Sequence, residues 1–326
     1  MSVTTAEVDT PSAVLAEVVR SGFVEGVHRG SLVILAEDGS VLFQRGHPGA
    51  PMFARSANKL MQASSIVENG APLHGELLAL AASSHSGEDF HIAGVRKILA
   101  LAGLDESALQ TPPELPYGES ARDELLRAGG VPERIIMNCS GKHAAMLLTC
   151  VHNGWDTHTY LEPNHPMQVA GNHSIERLTG DKITASGIDG CGAPVVAVSL
   201  AGVARAYCAA VQAASATPER RVADAMRAFP QVVGGTARAA TDFMAAVPGL
   251  LVKDGAEGVM VGALSDGRAF GLKIDDGSAR AVPVLIAQIL LALGISSRRV
   301  EQLGTVQLLG GGLPVGNIRS TRAITI

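Results

Sequence analysis

Strand-like segments sit at both ends of this chain, and helical periodicity fills the space between them. Ser31–Gly46, S-L-V-I-L-A-E-D-G-S-V-L-F-Q-R-G, reads as a β-hairpin. Two apolar runs flank Asp38-Gly39, and a D-G pair supplies the φ > 0 turn that a tight hairpin needs. A second hairpin lies near the other end, where Glu257–Leu264 and Arg268–Ile274 flank Ser265-Asp266-Gly267. A further apolar run, Thr305–Leu309, precedes a Gly-rich end. Between the hairpins the period predicts helices over Lys59–Glu68, His91–Ala102, Gly141–His152, Met167–Leu178, Val196–Gln212, Pro218–Phe229 and Ala237–Val247, with Pro283–Leu293 after the second hairpin. Strands from the two chain ends pair into one antiparallel sheet with helices on its faces. The class is therefore α+β, or an α/β-type sandwich with a helical insertion. The expected division is a loose tail over 1–15, polar through Met1–Pro11, and one unit over 16–326 with a helical subdomain at about 60–250 between the terminal strands.

The same pattern removes other classes. The elements do not alternate β and α, and no G-x-G-x-x-G opens a helix after a strand, so a nucleotide fold is not expected. A net charge of -5 gives no field that would draw nucleic acid or an anionic membrane, and 3% aromatic residues leave few stacking platforms for bases. With 47% hydrophobic and 17% charged residues the chain can bury a large core, built from Ala, Val, Leu and Ile. The most apolar window, Val195–Ala214, is interrupted by Arg205 and suits a buried helix rather than a membrane span. No basic start followed by an apolar run marks a signal peptide. Four scattered cysteines, Cys139, Cys150, Cys191 and Cys208, do not make a disulfide framework, so the expected compartment is a reducing cytoplasm.

Five stretches carry chemistry. Ser56-Ala57-Asn58-Lys59 is an S-x-x-K at a helix start, where positions i and i+3 share a face and hydroxyl and amine can hydrogen-bond. A neutral lysine can take the proton of a serine that is otherwise a poor nucleophile. The same spacing opens the active site of penicillin-binding proteins and class A β-lactamases, and it also makes an ordinary helix cap. Lys253-Asp254-Gly255 is a K-x-G just before a strand. Facing an S-x-x-K helix, its glycine would let substrate approach the backbone and its lysine would supply a second cation, helping to keep Lys59 neutral. Ser83-Ser84-His85-Ser86-Gly87-Glu88 places hydroxyls, an imidazole and a carboxylate in one connecting loop. Met137-Asn138-Cys139-Ser140-Gly141-Lys142-His143 puts Cys139 and Lys142 three apart at a helix N-terminus. Ile188-Asp189-Gly190-Cys191-Gly192-Ala193-Pro194 presents another thiol in a tight turn. Cys139 and Cys191 together would make a disulfide, a redox pair or half of a zinc site. Neither has a C-x₂-C partner, so the remaining zinc ligands would be a lysine amine, His143 or water.

In this order, A-R-S-A-N-K-L-M-Q, S-S-H-S-G-E-D-F-H, M-N-C-S-G-K-H-A-A-M-L, G-I-D-G-C-G-A-P and V-K-D-G-A-E-G-V resemble the Rhizobium etli type L-asparaginases, the class 3 or asparaginase II family. The resemblance runs from the first hairpin to the last helix. It implies a fold similar to serine β-lactamases and glutaminases, a homodimer, and hydrolysis of L-asparagine to L-aspartate and ammonia. It also implies two Ser-Lys tandems, Ser56 with Lys59 and Ser84 with Lys253, and zinc held by Cys139, Lys142 and Cys191. Ser86 and Lys273 are the alternatives for the second tandem. Arg55, Asp189 and His143 are expected at the substrate. Arg55, adjacent to Ser56, would support the carboxylate or the lysine network, and Asp189 would grip the α-ammonium, a cation that needs an anionic partner. Glutamine or a β-lactam as substrate, and a non-catalytic zinc-binding scaffold, are the competing functions.

Overall fold

The computed structural model describes residues 12–326; the expected loose segment Met1–Pro11 lies outside them. Eleven strands follow one another as β1 (Ala13–Arg20), β2 (Phe23–Leu35), β3 (Val41–Arg45), β4 (Pro51–Phe53), β5 (Ala185–Ile188), β6 (Pro194–Ser199), β7 (Leu251–Gly255), β8 (Val259–Ala263), β9 (Ala269–Ile274), β10 (Val306–Gly310) and β11 (Leu313–Ser320) among the described residues. The main sheet runs β10-β11-β1-β2-β9-β8-β7, with β3 paired to β2 off that path. Every pairing is antiparallel. First and last strands are neighbours, Ala16 opposite Ser320, and the two predicted hairpins meet where β2 pairs β9 from Gly30–Ile274 to Leu35–Ala269. The predicted turns form as read: Gly39 and Gly267 both have positive φ, at 80° and 103°.

The fold is thus the expected α+β arrangement, with an antiparallel sheet from the chain ends and helices between. Residues 13–15, read as tail, are strand. They pair through Ala13–Gly30 and Val14–Arg29. A small second sheet, β4-β6-β5, sits inside the helical region. It corrects the prediction of one helix over Val196–Gln212: β6 runs to Ser199, whose Oγ accepts from Gly202 N at 2.9 Å and caps the helix Leu200–Gln212. That helix lies over β2, β8 and β9, and Val282–Ala292 lies over β9 and β11. The helix Lys59–Glu68 is buried along nearly its whole length, packed against Pro166–Thr179, Pro218–Ala228 and Ser140–Asn153. A helix with a buried lysine as its first residue needs polar partners for that ammonium, and those partners define the site. No described helix is long and apolar enough to cross a membrane.

Candidate active site

The S-x-x-K does not pair internally. Arg55–Asn58 is a 3₁₀ turn, and Lys59 is the first residue of the α-helix that follows it. Lys59 Nζ donates to Ser83 O at 2.5 Å and lies 3.0 Å from both Ser84 Oγ and Cys139 Sγ. Among the described residues no bond joins it to Ser56 Oγ. The change from 3₁₀ to α geometry turns the lysine inward while Ser56 stays at the wall of a cavity. Arg55 holds φ +51°, a left-handed conformation that non-glycine residues seldom adopt, immediately before Ser56.

Ser84 is the hub. Its Oγ lies 3.0 Å from Lys59 Nζ and 2.9 Å from Lys253 Nζ, so one hydroxyl bridges two buried lysines. Lys253 is fully buried and also donates to Asp254 Oδ1 at 2.6 Å and to Asp254 O at 2.9 Å. Burial pulls Lys253 down to about 8; the Asp254 carboxylate opposes the fall and the Lys59 ammonium adds to it. Asp254 also binds Arg238 at 2.6 Å. Burial alone would raise its pKa, but the Lys253 and Arg238 charges hold it well below the usual carboxylate range. The two alternatives for the second tandem lie elsewhere. Ser86 Oγ donates to Gly234 O, and Lys273 Nζ donates to Glu257 O and Ile274 O.

The Ser84 loop is clamped by backbone bonds, Ser84 N to Val233 O and His85 N to Asn138 O, both at 3.0 Å. Two stacked imidazoles, His85 and His91, sit behind it with ring centres 5.0 Å apart. His91 Nδ1 accepts from Glu88 N, and its Nε2 faces Gln231 O. Burial lowers His91 to about 4 and His85 well below the ordinary imidazole value. Above pH 6.5 both states of the chain hold His91 neutral. Between 6.5 and about 4 only the unfolded chain takes the proton, so acid costs stability in that window. For His91 alone the loss should approach about 3 kcal/mol by pH 4. Urea unfolding of wild type and His91→Gln from pH 7 to 4.5 should show a shallower fall in the variant; equal slopes would refute the assignment.

Gly255 lines the cavity, where its motif puts it beside the substrate, and it has a second task. A Cβ there would stand 2.5 Å from Ala54 O and 3.3 Å from Ala57 N, so the glycine admits the turn that carries Ser56 against β7. Gly255→Ala should shift that turn, costing about 1–3 kcal/mol of stability and at least 10²-fold in activity, as misplacing a reacting group by about 1 Å does. A variant with wild-type kcat would show that the turn yields without consequence.

Arg55, Ser56, Ser84, Glu114, Tyr117, Cys139, Asp189, Cys191, Arg238 and Asp254 line a cavity of about 210 Å³. Arg55 binds Asp189 Oδ1 through Nε at 2.7 Å, and Gly190 N donates to the same oxygen. His143 is not at this wall. It is fully buried, Nδ1 is 2.8 Å from Tyr160 OH, and Nε2 has no partner among the described residues. The helix start that presents Cys139 turns His143 away, which corrects its placement at the substrate. Glu114, Tyr117, Arg238 and Asp254 escaped the sequence analysis. Only Asp254 had a signal, as the middle residue of the K-x-G.

Cys139, Lys142 and Cys191 do come together. Lys142 Nζ is 3.5 Å from Cys191 Sγ, and all four cysteines are free thiols. The mutual influence of the two packed sulfurs, opposed by burial and aided by the Lys142 ammonium, lowers Cys191 to about 5; the same influence and burial push Cys139 to about 12. Burial would lower Lys142, but the two sulfurs more than reverse it. Two soft sulfurs and a nitrogen suit zinc once the amine gives up its proton. No group of three or more His, Cys, Asp or Glu side chains among the described residues is placed to hold a metal, so the set depends on the lysine.

A serine bridged by two buried lysines at the wall of a small cavity is machinery suited to an amidohydrolase. The family model for L-asparaginase II matches residues 16–320, and the chain belongs to that family. No curated protein matches it. Among solved structures it is similar to a putative β-lactamase from Bacteroides dorei (15% identity, 75% of this chain and 84% of that one, TM-score 0.42). It is also similar to a β-lactamase from Mycobacterium bovis (12%, 76% and 88%, 0.38). Mglu in its glutamate form is a third such structure (14%, 82% and 61%, 0.38).

Proposed function

We propose that this protein is an L-asparaginase of the Rhizobium etli type, hydrolysing L-asparagine through an ester on Ser56. The observation that carries this is the Ser84 hydroxyl held between Lys59 and Lys253 beside a cavity that Ser56 lines. Ser56 Oγ attacks the side-chain amide carbon, and Lys59, in its neutral form and swung from Ser84 to Ser56, takes the serine's proton. The carbon–nitrogen bond breaks, the proton passes to the leaving nitrogen, and ammonia departs. Water then cleaves the aspartyl ester with the same lysine as base. The Ser84–Lys253 pair relays protons and sets the charge around Lys59. Backbone N–H groups of the Ser56 turn stabilise the oxyanion; losing one such donor costs on the order of 10² to 10³ in rate. Arg55, oriented by Asp189, meets the substrate α-carboxylate. A cavity this small suits an amino-acid amide and no large ligand.

Cys139, Lys142 and Cys191 would hold zinc, which when bound supplies a Lewis-acidic charge softened by two thiolates. Cys139 also touches Lys59, so the same residue serves the pocket wall and the catalytic pair. Protein purified without chelator should carry about one zinc per chain by elemental analysis, and Cys191→Ser should carry far less; a metal-free wild type would sink the assignment. We place the protein in the cytoplasm as a homodimer.

Ammonia release from L-asparagine and L-glutamine, with ring opening of a β-lactam panel followed by absorbance, tests the function directly. Turnover dominated by asparagine is expected. A folded protein that hydrolyses none of these overturns the proposal in favour of a binding role.

A further inference from the structure

The charged groups of the cavity are almost all matched. Asp189 is held by Arg55, with Gly190 N on the same oxygen. Asp254 is held by Lys253 and Arg238. Glu114 also lines the cavity, and among the described residues no cation lies within ion-pair distance of its carboxylate and no side-chain hydrogen bond engages it. Its backbone is fixed instead: Glu114 and Glu133 exchange N–H···O bonds at 3.2 Å in an isolated bridge, between Thr111, whose Oγ1 binds Arg134 O, and the Pro116–Tyr117 turn. The backbone at Glu114 is therefore held in place, and among the described residues nothing engages its partly buried carboxylate.

Resting on the function proposed above, we infer that Glu114, not Asp189, receives the α-ammonium of the amino-acid substrate. An α-amino acid brings one anion and one cation into the site. Arg55 is the cation available for the carboxylate. A substrate ammonium placed on Asp189 would meet a carboxylate whose charge Arg55 already neutralises through Oδ1, whereas at Glu114 it meets an unpaired charge. Burial raises the Glu114 pKa, as expected of a carboxylate short of cations, and a bound ammonium would reverse that. The two recognition charges would then come from segments of the chain far apart in sequence, Arg55 beside the nucleophile and Glu114 across the cavity. That spacing reads the distance between amide and amino group, and so selects α-amino amides over simple carboxamides.

The test compares L-asparagine with succinamate, the same amide and carboxylate without the amino group, in wild type, Glu114→Gln and Asp189→Asn. In wild type asparagine should be preferred in kcat/KM. Glu114→Gln should raise the KM for asparagine about 10- to 100-fold, the worth of a charge-assisted hydrogen bond, with kcat within a few-fold, and leave succinamate unchanged. Asp189→Asn should weaken both substrates together, because it frees Arg55. Preference for asparagine that survives in Glu114→Gln, or disappears in Asp189→Asn alone, overturns the inference. Glu114→Asp should restore part of the preference, which a folding defect would not. Absence of turnover in wild type would instead refute the asparaginase function itself.

Discussion

Ser56→Ala is expected to lower kcat on asparagine by at least about 10³-fold while leaving the thermal midpoint nearly unchanged. Removing the nucleophile of an acyl-enzyme costs as much as about 10⁶ where the residue acts as part of a unit. The stability side follows from its surroundings. Ser56 is only partly buried, lines the cavity, and takes no hydrogen bond from Lys59. Substitutions of that kind usually shift stability by less than about 0.5 kcal/mol. Ser84→Ala is the informative contrast. It removes the hydroxyl that two buried lysines share, so activity and stability should fall together, by about 1–3 kcal/mol for the stranded partners. Stopped-flow release of the first equivalent of ammonia separates the two. Ser56→Ala that retains more than about a hundredth of wild-type rate would be incompatible with its role as nucleophile, and an intact burst in Ser56→Ala but not in Ser84→Ala would exchange their parts.

The second large effect is on stability. Asp254→Asn should cost about 3–5 kcal/mol near neutral pH, because it leaves a fully buried ammonium without its carboxylate. Arg238 loses the same partner. The pH dependence has a definite sign. Lys253 titrates at about 8 in the folded protein and near 10.5 when free. Below pH 8 it is charged in the folded wild type and its attraction to Asp254 is fully expressed. Above pH 8 it becomes neutral, that attraction disappears, and the deficit of the variant should narrow. Urea unfolding of both proteins at pH 6.5 and 9.5 measures this. A deficit equal at both pH values would place the stabilising role of Asp254 on Arg238 alone.

Much of this was legible without coordinates, for reasons that differ by element. The D-G and S-D-G turns and the long helices are local: their residues decide their backbone within a few positions, and helix ends such as Ser140–Asn153 and Pro166–Thr179 fall within a residue or two of the periodicity. The strands β1 and β11 were not read, because Gly22, Pro314 and Gly316 blur the alternation and their pairing joins residues some 300 apart. The sheet strand β6 hid at the front of an apolar window because strand and helix share buried Val and Ala, and only pairing with β4 and β5 separates them.

At the site, the sequence by itself determined which chemistry was on offer: two serines, three lysines, two thiols, an arginine and an aspartate, each within a short motif. Only the tertiary structure decided who meets whom. Lys59 reaches Ser84, 25 positions away, in place of Ser56, three positions away. Lys253 meets the same hydroxyl across 169 positions, and Arg238 and Glu114 enter the cavity with no motif at all. Motif spacing reports contacts along one helix face, where geometry is regular. A buried ammonium instead takes whichever oxygens and sulfurs surround it, because leaving it unsolvated costs far more than any local propensity can return, and those partners come from whatever loops the packed sheet and helices bring to that point.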